Sequence, residues 1–323
     1  MDRTEDPVRL YVVAPCYNEE AVLPETARRL NALMDELEGE GLIDADSRIV
    51  LVDDGSRDRT WPLIEDSAAQ YPRVEGIKLA HNAGHQNALW AGMMTVRNKA
   101  DAVVTIDADL QDDISAIRGF LTAYRAGNEV VYGVRSARKT DTAFKRKTAH
   151  WYYGLMKKLG VDLKYDHADY RLLSRRALEA LAQFGETNLF LRGMVPLLGF
   201  QHTEVYYERG ERFAGESKYP LRKMLSFAME GITSFSVKPI RYVVMLGVLF
   251  AIIGVVMALY ALISRFSGRA VAGWSSLMVS VWVIGGVQLI ALGLIGEYVG
   301  KLYTEVKRRP RFILETYLEK PRE

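Results

Sequence analysis

A chain of 323 residues carries 42 Lys and Arg against 40 Asp and Glu, a formal net charge of +2. That length suits one large α/β domain with something smaller beside it, and the near-balance of charge excludes the overall positive field of a nucleic-acid binder. One cysteine, Cys16, excludes an internal disulfide and a cysteine-built zinc cluster.

The first residues, "MDRTEDPVRL", are charged and lack an apolar core segment, so no signal peptide is expected. "RLYVVAP" (9–15) then reads as a strand closed by Pro15, followed by a helix over 19–38 whose apolar side is Ala21, Val22, Leu30, Leu33, Met34 and Leu37. "RIVLVDD" (48–54) is a second strand, with Thr60 as the expected N-cap of a helix over 61–70 and Pro62 in its tolerant first turn. "VEGIKLA" (74–80) is a third, leading into a helix over 84–99. "DAVVTIDAD" (101–109) is a fourth, before a helix over 113–126, and "EVVYGVR" (129–135) is a fifth. Strands apolar on both faces and alternating with helices predict an α/β fold around a mostly parallel sheet covered on each side. Ligands of such sheets bind beyond the carboxyl ends of the strands. "PCYNEE", "DDGSRDRT", "HNAGHQ" and "DADLQDD" fall at those four ends.

The second half differs. Residues 218–236, "KYPLRKMLSFAMEGITSFS", place Leu221, Met224, Leu225, Ala228, Ile232 and Phe235 at helical spacing, which suits a helix lying in a membrane interface. Residues 242–263 and 274–296 contain no charge, and each is long enough to cross a hydrocarbon core of ~30 Å. Lys218, Arg222, Lys223, Lys238 and Arg241 precede the first run, and Lys301, Lys307, Arg308, Arg309 and Arg311 follow the second. The loop between holds Arg265 and Arg269. Positive flanks predict both termini, and hence the large domain, on the cytoplasmic face of the membrane. The expected organisation is a catalytic domain over 1–216, an interfacial helix region over 217–240, two spans within 241–300 and a basic tail over 301–323.

"VVTIDADLQDD" (103–113) gathers Asp107, Asp109, Asp112 and Asp113 at a strand end, where like charges repel. Such a cluster suits a hard divalent cation, Mg²⁺ or Mn²⁺, that takes oxygen ligands and shares them with phosphate. On a regular strand Asp107 and Asp109 would point the same way. An EF-hand loop is disfavoured, since its glycine and distal glutamate are missing. Asp53 and Asp54 add carboxylates at a neighbouring strand end, with Gly55 allowing a tight turn. The chain has neither the glycine-rich turn of dinucleotide sites nor a Walker lysine motif.

"VAPCYNEE", "VDDGSRDRT", "HNAGHQNAL" and "IDADLQDD", in that order and spacing, resemble glycosyltransferase family 2, whose fold is called GT-A. With "RFAGESKY" and two C-terminal spans, the chain resembles the polyprenyl-phosphate glycosyltransferases over nearly all of residues 7–313. That group includes bactoprenol-phosphate glucosyltransferases and dolichol-phosphate mannose synthases. The resemblance implies a nucleotide-sugar donor, UDP-glucose ahead of GDP-mannose, and a polyprenyl phosphate acceptor in the membrane. It implies that Pro15, Tyr17, Asn18, Glu19 and Asp54 hold the nucleotide. Asp107 and Asp109 form a D-x-D motif for metal and sugar diphosphate, and Gln111 and Asp112 lie beside the sugar. "DDISAI" stands where many relatives have prolines, and "HNAGHQ" begins with His81, a pocket-shaping residue, where arginine is common.

Arg212, Ser217 and Lys218 in "ERFAGESKY", with Arg135 and Arg138 in "YGVRSARK", are the expected partners of the acceptor phosphate. Asp169 in "HADYRLLSRRAL", expected just before a short strand, is the family's candidate base. A phosphate monoester with a second pKa of about 6 needs little deprotonation, so Asp169 could instead orient the acceptor or stabilise the sugar cation. The charge that opposes the acidic cluster is expected to arrive with the donor. Gly285, Gly286, Gly293 and Gly296 allow close helix packing, and a homo-oligomer is expected. The rival activities are a processive polysaccharide synthase, disfavoured by the missing Q-x-x-R-W motif, and a non-catalytic scaffold that binds nucleotide sugar.

Overall fold

The computed structural model describes residues 6–136, 167–187, 189–208, 210, 238–266 and 273–321. They fall into two units, the first containing residues up to 148, 163–218 and 309–323, the second 149–162 and 219–308.

The first unit is built on an eight-stranded sheet in the order β7-β5-β6-β4-β1-β2-β3-β8. Its strands are β1 (Leu10–Cys16), β2 (Arg48–Asp53), β3 (Val74–Leu79), β4 (Ala102–Thr105), β5 (Val130–Arg135), β6 (His167–Ser174), β7 (His202–Tyr207) and β8 (Leu314–Leu318). β1 pairs in parallel with β2 and β4, β2 with β3, and β5 with β7. β6 and β8 run antiparallel to their neighbours. The expected fourth and fifth strands are therefore not adjacent, because β6 lies between them. The tail expected after residue 301 is also partly ordered structure: residues 314–318 close the sheet as an edge strand against β3.

The helices of this unit are α1 (Leu23–Gly39), α2 (Thr60–Gln70), α3 (His85–Val96), α4 (Ala116–Arg125), α5 (Arg175–Leu181) and α6 (Leu191–Leu197). β1 is buried along its whole length, which explains its unbroken apolar run. Val12 and Ala14 join the core built by Leu30 and Met34 of α1 and Phe120 and Leu121 of α4. Val13 points the other way, to α3, where a Cβ at Gly92 would stand 2.4 Å from a Val13 methyl carbon. Only glycine permits that approach of helix to sheet.

Two local expectations change. Thr60 is the first residue of α2 and Arg59 its N-cap; the Asp58 carboxylate accepts from the Thr60 amide at 3.0 Å and does the capping work. β4 stops at Thr105, four residues short of the expected end, so Asp107 and Asp109 sit in the turn that follows rather than on a strand.

In the second unit, α7 (Lys238–Phe266) and α8 (Trp274–Lys307) contain the two apolar runs. Both are long and apolar enough to cross a membrane, with mean hydropathies of 2.2 over Lys238–Val256 and 1.6 over Val283–Lys307. Residues 238–240 of the expected interfacial region open α7; the rest of that region lies outside the described residues.

Candidate active site

Four loops leave the carboxyl ends of β1 to β4. The first two are knitted together: the Ser56 hydroxyl accepts from the Asn18 amide at 3.0 Å, and the Asn18 side chain accepts from the Arg57 amide at 2.9 Å. Asn18 takes a left-handed backbone, φ 54°, which asparagine tolerates better than most residues. The Glu19 amide donates to the Thr60 hydroxyl at 2.9 Å. Pro15 is buried at the end of β1, whereas Tyr17 is 43% exposed.

Asp53 and Asp54 are both buried, and burial raises both their pKa values. Asp54 accepts from the Ala83 and Gly84 amides at 2.7 and 3.0 Å, so it braces the third loop. Gly55, φ +66°, makes the same approach: a Cβ there would stand 2.6 Å from the Asn82 nitrogen and the His81 carbonyl carbon.

The fourth loop turns through Leu110, φ 56°, a conformation that costs a non-glycine residue about 1–2 kcal/mol. The Gln111 amide donates to Asp109 at 3.1 Å inside this turn. Asp112 is buried and accepts from Arg135 at 3.2 Å and from the Tyr207 hydroxyl at 2.8 Å. Arg135 is thus engaged with the acidic cluster. Asp113 accepts from the Ser115 amide at 2.9 Å just before α4.

Asp169 is within β6, not before it. Because β6 is antiparallel and Arg171 pairs with Thr105, Asp169 is carried past the end of β4, level with Asp107. Its carboxylate accepts from Arg171 at 2.5 Å, from Arg192 at 3.1 Å and from the Gln86 side chain at 3.1 Å. His85 Nε2 lies 3.6 Å from carboxylate oxygens of both Asp107 and Asp169. Burial opposes ionisation of Asp169, but Arg192, His85 and Arg171 together hold its pKa far below the carboxylate range. Burial also opposes the His85 imidazolium, and the two carboxylates still raise its pKa above the ordinary value. For Asp107 burial raises the pKa; His85 lowers it, while the nearby Asp169, Asp112 and Asp109 raise it further.

The charge that balances the acidic cluster is therefore largely in the chain, in Arg135, Arg171, Arg192 and His85, and does not all wait for a donor.

Comparison with known proteins identifies the family. Residues 11–182 match the family described as "Glycosyl transferase family 2", and residues 238–302 match the "GtrB C-terminal hairpin". The chain is 53% identical over 306 residues to the uncharacterized glycosyltransferase YkoT of Bacillus subtilis, covering 95% of this chain and 91% of that one. It is 37% identical over 310 residues to the SfII prophage-derived bactoprenol glucosyl transferase of Shigella flexneri, covering 95% and 98% respectively. A solved structure of glucosyl-3-phosphoglycerate synthase from Mycobacterium tuberculosis overlaps at a TM-score of 0.47 and 21% identity, covering 71% of this chain and 79% of that one.

The chain belongs to glycosyltransferase family 2. In the transferase, Asp107 of the fourth loop and Asp169 of β6 meet at His85, and the loops with Asn18 and Asp54 are locked to their neighbours. Arg212, Ser217, Lys218 and Arg138 lie outside the described residues. Among the described residues no three His, Cys, Asp or Glu side chains stand together as a metal cage. The donor set still fits a hard cation: Asp107 and Asp109 offer carboxylate oxygens in one turn, where burial first and the nearby carboxylates next raise the Asp107 pKa, and phosphate oxygens and water would complete the shell.

Sequence reasoning missed His85, Gln86, Arg171, Arg192 and Tyr207. His85 and Gln86 stood inside a quoted motif, and Arg171 stands two positions from Asp169, on the same face of any strand containing both. Arg192 and Tyr207 carried no local signal, since only the folded sheet brings them to the carboxylates.

Proposed function

We propose that the transferase moves one hexose from a nucleoside diphosphate sugar to polyprenyl phosphate at the cytoplasmic membrane face. The transfer inverts the anomeric carbon and depends on Mg²⁺ or Mn²⁺. UDP-glucose is the favoured donor and GDP-mannose the second choice. The observation that carries this reading is the cluster of Asp107, His85, Asp169 and Arg192 in a chain that also holds two bare apolar helices. The name of the Shigella relative, a bactoprenol glucosyl transferase, supports the glucose and the lipid.

In this reading the exposed Tyr17 ring and the loops pinned by Asn18 and Asp54 receive the nucleoside, with Pro15 and Glu19 shaping the floor. A cation held by Asp107 and Asp109 would supply neutralising charge to the departing diphosphate. Gln111 and Asp112 border the sugar, and Asp112 is fixed there by Tyr207 and Arg135. The ion pairs with Arg192 and Arg171 and the contact with His85 favour the ionised form of Asp169, so it is a poor proton acceptor. It keeps Arg192 and His85 aimed at the reacting centre, and the acceptor phosphate, already mostly dianionic at neutral pH, attacks unaided. Arg212, Ser217, Lys218 and Arg135 are the proposed grips on that phosphate.

The placement of β8 in the catalytic sheet supports the membrane topology. Residues 314–318 pair with β3, and residues 163–218 before α7 and 309–323 after α8 both belong to the sheet-bearing unit. A homo-oligomer packed through the glycines of α8 is part of the same proposal.

The test is incubation of the purified full chain with polyprenyl phosphate and labelled UDP-glucose or GDP-mannose, with and without a chelator. The expected result is label in the lipid phase from one donor, lost on chelation and restored by Mg²⁺ or Mn²⁺. Undiminished transfer after chelation would overturn the metal; equal use of both donors would overturn the preference.

A further inference from the structure

The segment after α8 does more than close the sheet. β8 is zipped to β3, and the Ala80 amide donates to the Ile313 carbonyl at 2.9 Å, so the contact extends to the loop that opens α3. The Tyr317 hydroxyl donates to the buried Glu75 carboxylate at 2.6 Å, and the Lys99 ammonium donates to Tyr317 at 2.8 Å. Four residues beyond the end of α8, the Arg311 guanidinium lies 4.4 Å from the centre of the Trp90 ring and donates to the Phe184 carbonyl at 2.7 Å.

Those two anchors belong to the two pieces of chain that build the shell of Asp169. Trp90 is buried on α3, whose first residues, His85 and Gln86, face the Asp169 carboxylate. Phe184 opens the stretch that leads to Leu191 and Arg192. The same two pieces also meet through Gln86, which accepts from the Leu191 amide at 3.1 Å while donating to Asp169. A guanidinium over an indole face is a strong and directional contact, and its planar fork leaves donors for a carbonyl in the ring plane.

We propose that Arg311 is a positioning residue for the transfer reaction. By clasping Trp90 and the Phe184 carbonyl it fixes α3 against residues 184–192 and holds His85, Gln86 and Arg192 around Asp169. The proposal rests on the function above in one respect, that the Asp169 shell serves sugar transfer.

Arg311→Ala and Arg311→Lys in the full chain, purified in detergent, test it by hydrogen–deuterium exchange and kinetics together. In Arg311→Ala, peptides covering 84–92 and 184–193 exchange roughly tenfold faster while α1 is unchanged, the signature of a local opening. Turnover falls about tenfold or more with the donor KM nearly unchanged, since a small misplacement of a catalytic shell is expensive. Arg311→Lys keeps a cation near Trp90 but not the planar fork, and restores only part of both. Unchanged exchange in the two segments would overturn the clasp. So would faster exchange over the whole sheet with a lowered Tm in both variants, which marks a general structural role. Exchange is read without turnover, so a wild-type chain that moves no sugar would count against the proposed function while the clasp is still decided.

Discussion

One carboxylate, Asp169, collects two arginines, a glutamine and a histidine. That many donors stabilise the anion and make it a weak base. The sign follows: a carboxylate whose folded pKa lies below its unfolded value of about 4 contributes stability above that pH and loses it as the pH falls. An acidic limb in the pH–rate profile near pH 6 therefore belongs to the acceptor phosphate or to His85, whose pKa the two carboxylates raise against burial, and not to Asp169. Asp169→Asn should lower turnover by about 10²-fold or more, the scale of a lost electrostatic group, and keep an acidic limb, moved no further than the lost charge beside His85 moves it. Loss of the limb in this variant, with His85→Gln keeping it, would restore the general base. The variant also leaves Arg171 buried without its anion, at a cost of about 3 kcal/mol or more, so its Tm must be recorded beside its rate. The acids of this site were legible in the sequence because four of them crowd one strand end. Their partners were not, because Arg192 is 23 positions from Asp169 and meets it only through the start of α6.

Among elements, the alternation of strands and helices was legible because the parallel strands, buried on both faces, leave long apolar runs. β6 was expected only as a short strand after Asp169, whereas it starts at His167, and its placement between β4 and β5 is a matter of topology. β4 was read too long because Ile106 continues the apolar pattern, although its amide already pairs with Val13 outside the ladder. The turn at Gly55 is the tightest joint between the second and third loops. Gly55→Ala forces a side chain into a left-handed backbone and onto the His81–Asn82 backbone. It should destabilise the chain by roughly 2–3 kcal/mol, as such strained positions do, measured by denaturant unfolding of the purified chain. A loss under about 1 kcal/mol, within the range of ordinary loop substitutions, would show that the loop yields easily.

The whole molecule joins a catalytic sheet to two apolar helices and then brings its chain back to the sheet's edge. The two long apolar helices were legible by length and lack of charge; the returning strand was not, because five residues of mixed character carry no period long enough to read. The return joins both flanks of the helices to the same sheet-bearing unit, and the proposed topology puts that unit in the cytoplasm. In a full chain carrying Ser267→Cys, between the helices, a membrane-impermeant maleimide should label intact cells; with Asp66→Cys, exposed on α2, it should label only after lysis. Labelling of Asp66→Cys in intact cells would invert the topology. The central claim is that one hexose passes to one polyprenyl phosphate, and the direct measurement is mass spectrometry of the lipid product from the purified enzyme, with the anomer assigned by NMR. A single hexose per lipid phosphate, inverted relative to the donor, is the predicted result; a ladder of hexoses, a retained anomer or no lipid product with any donor would contradict it.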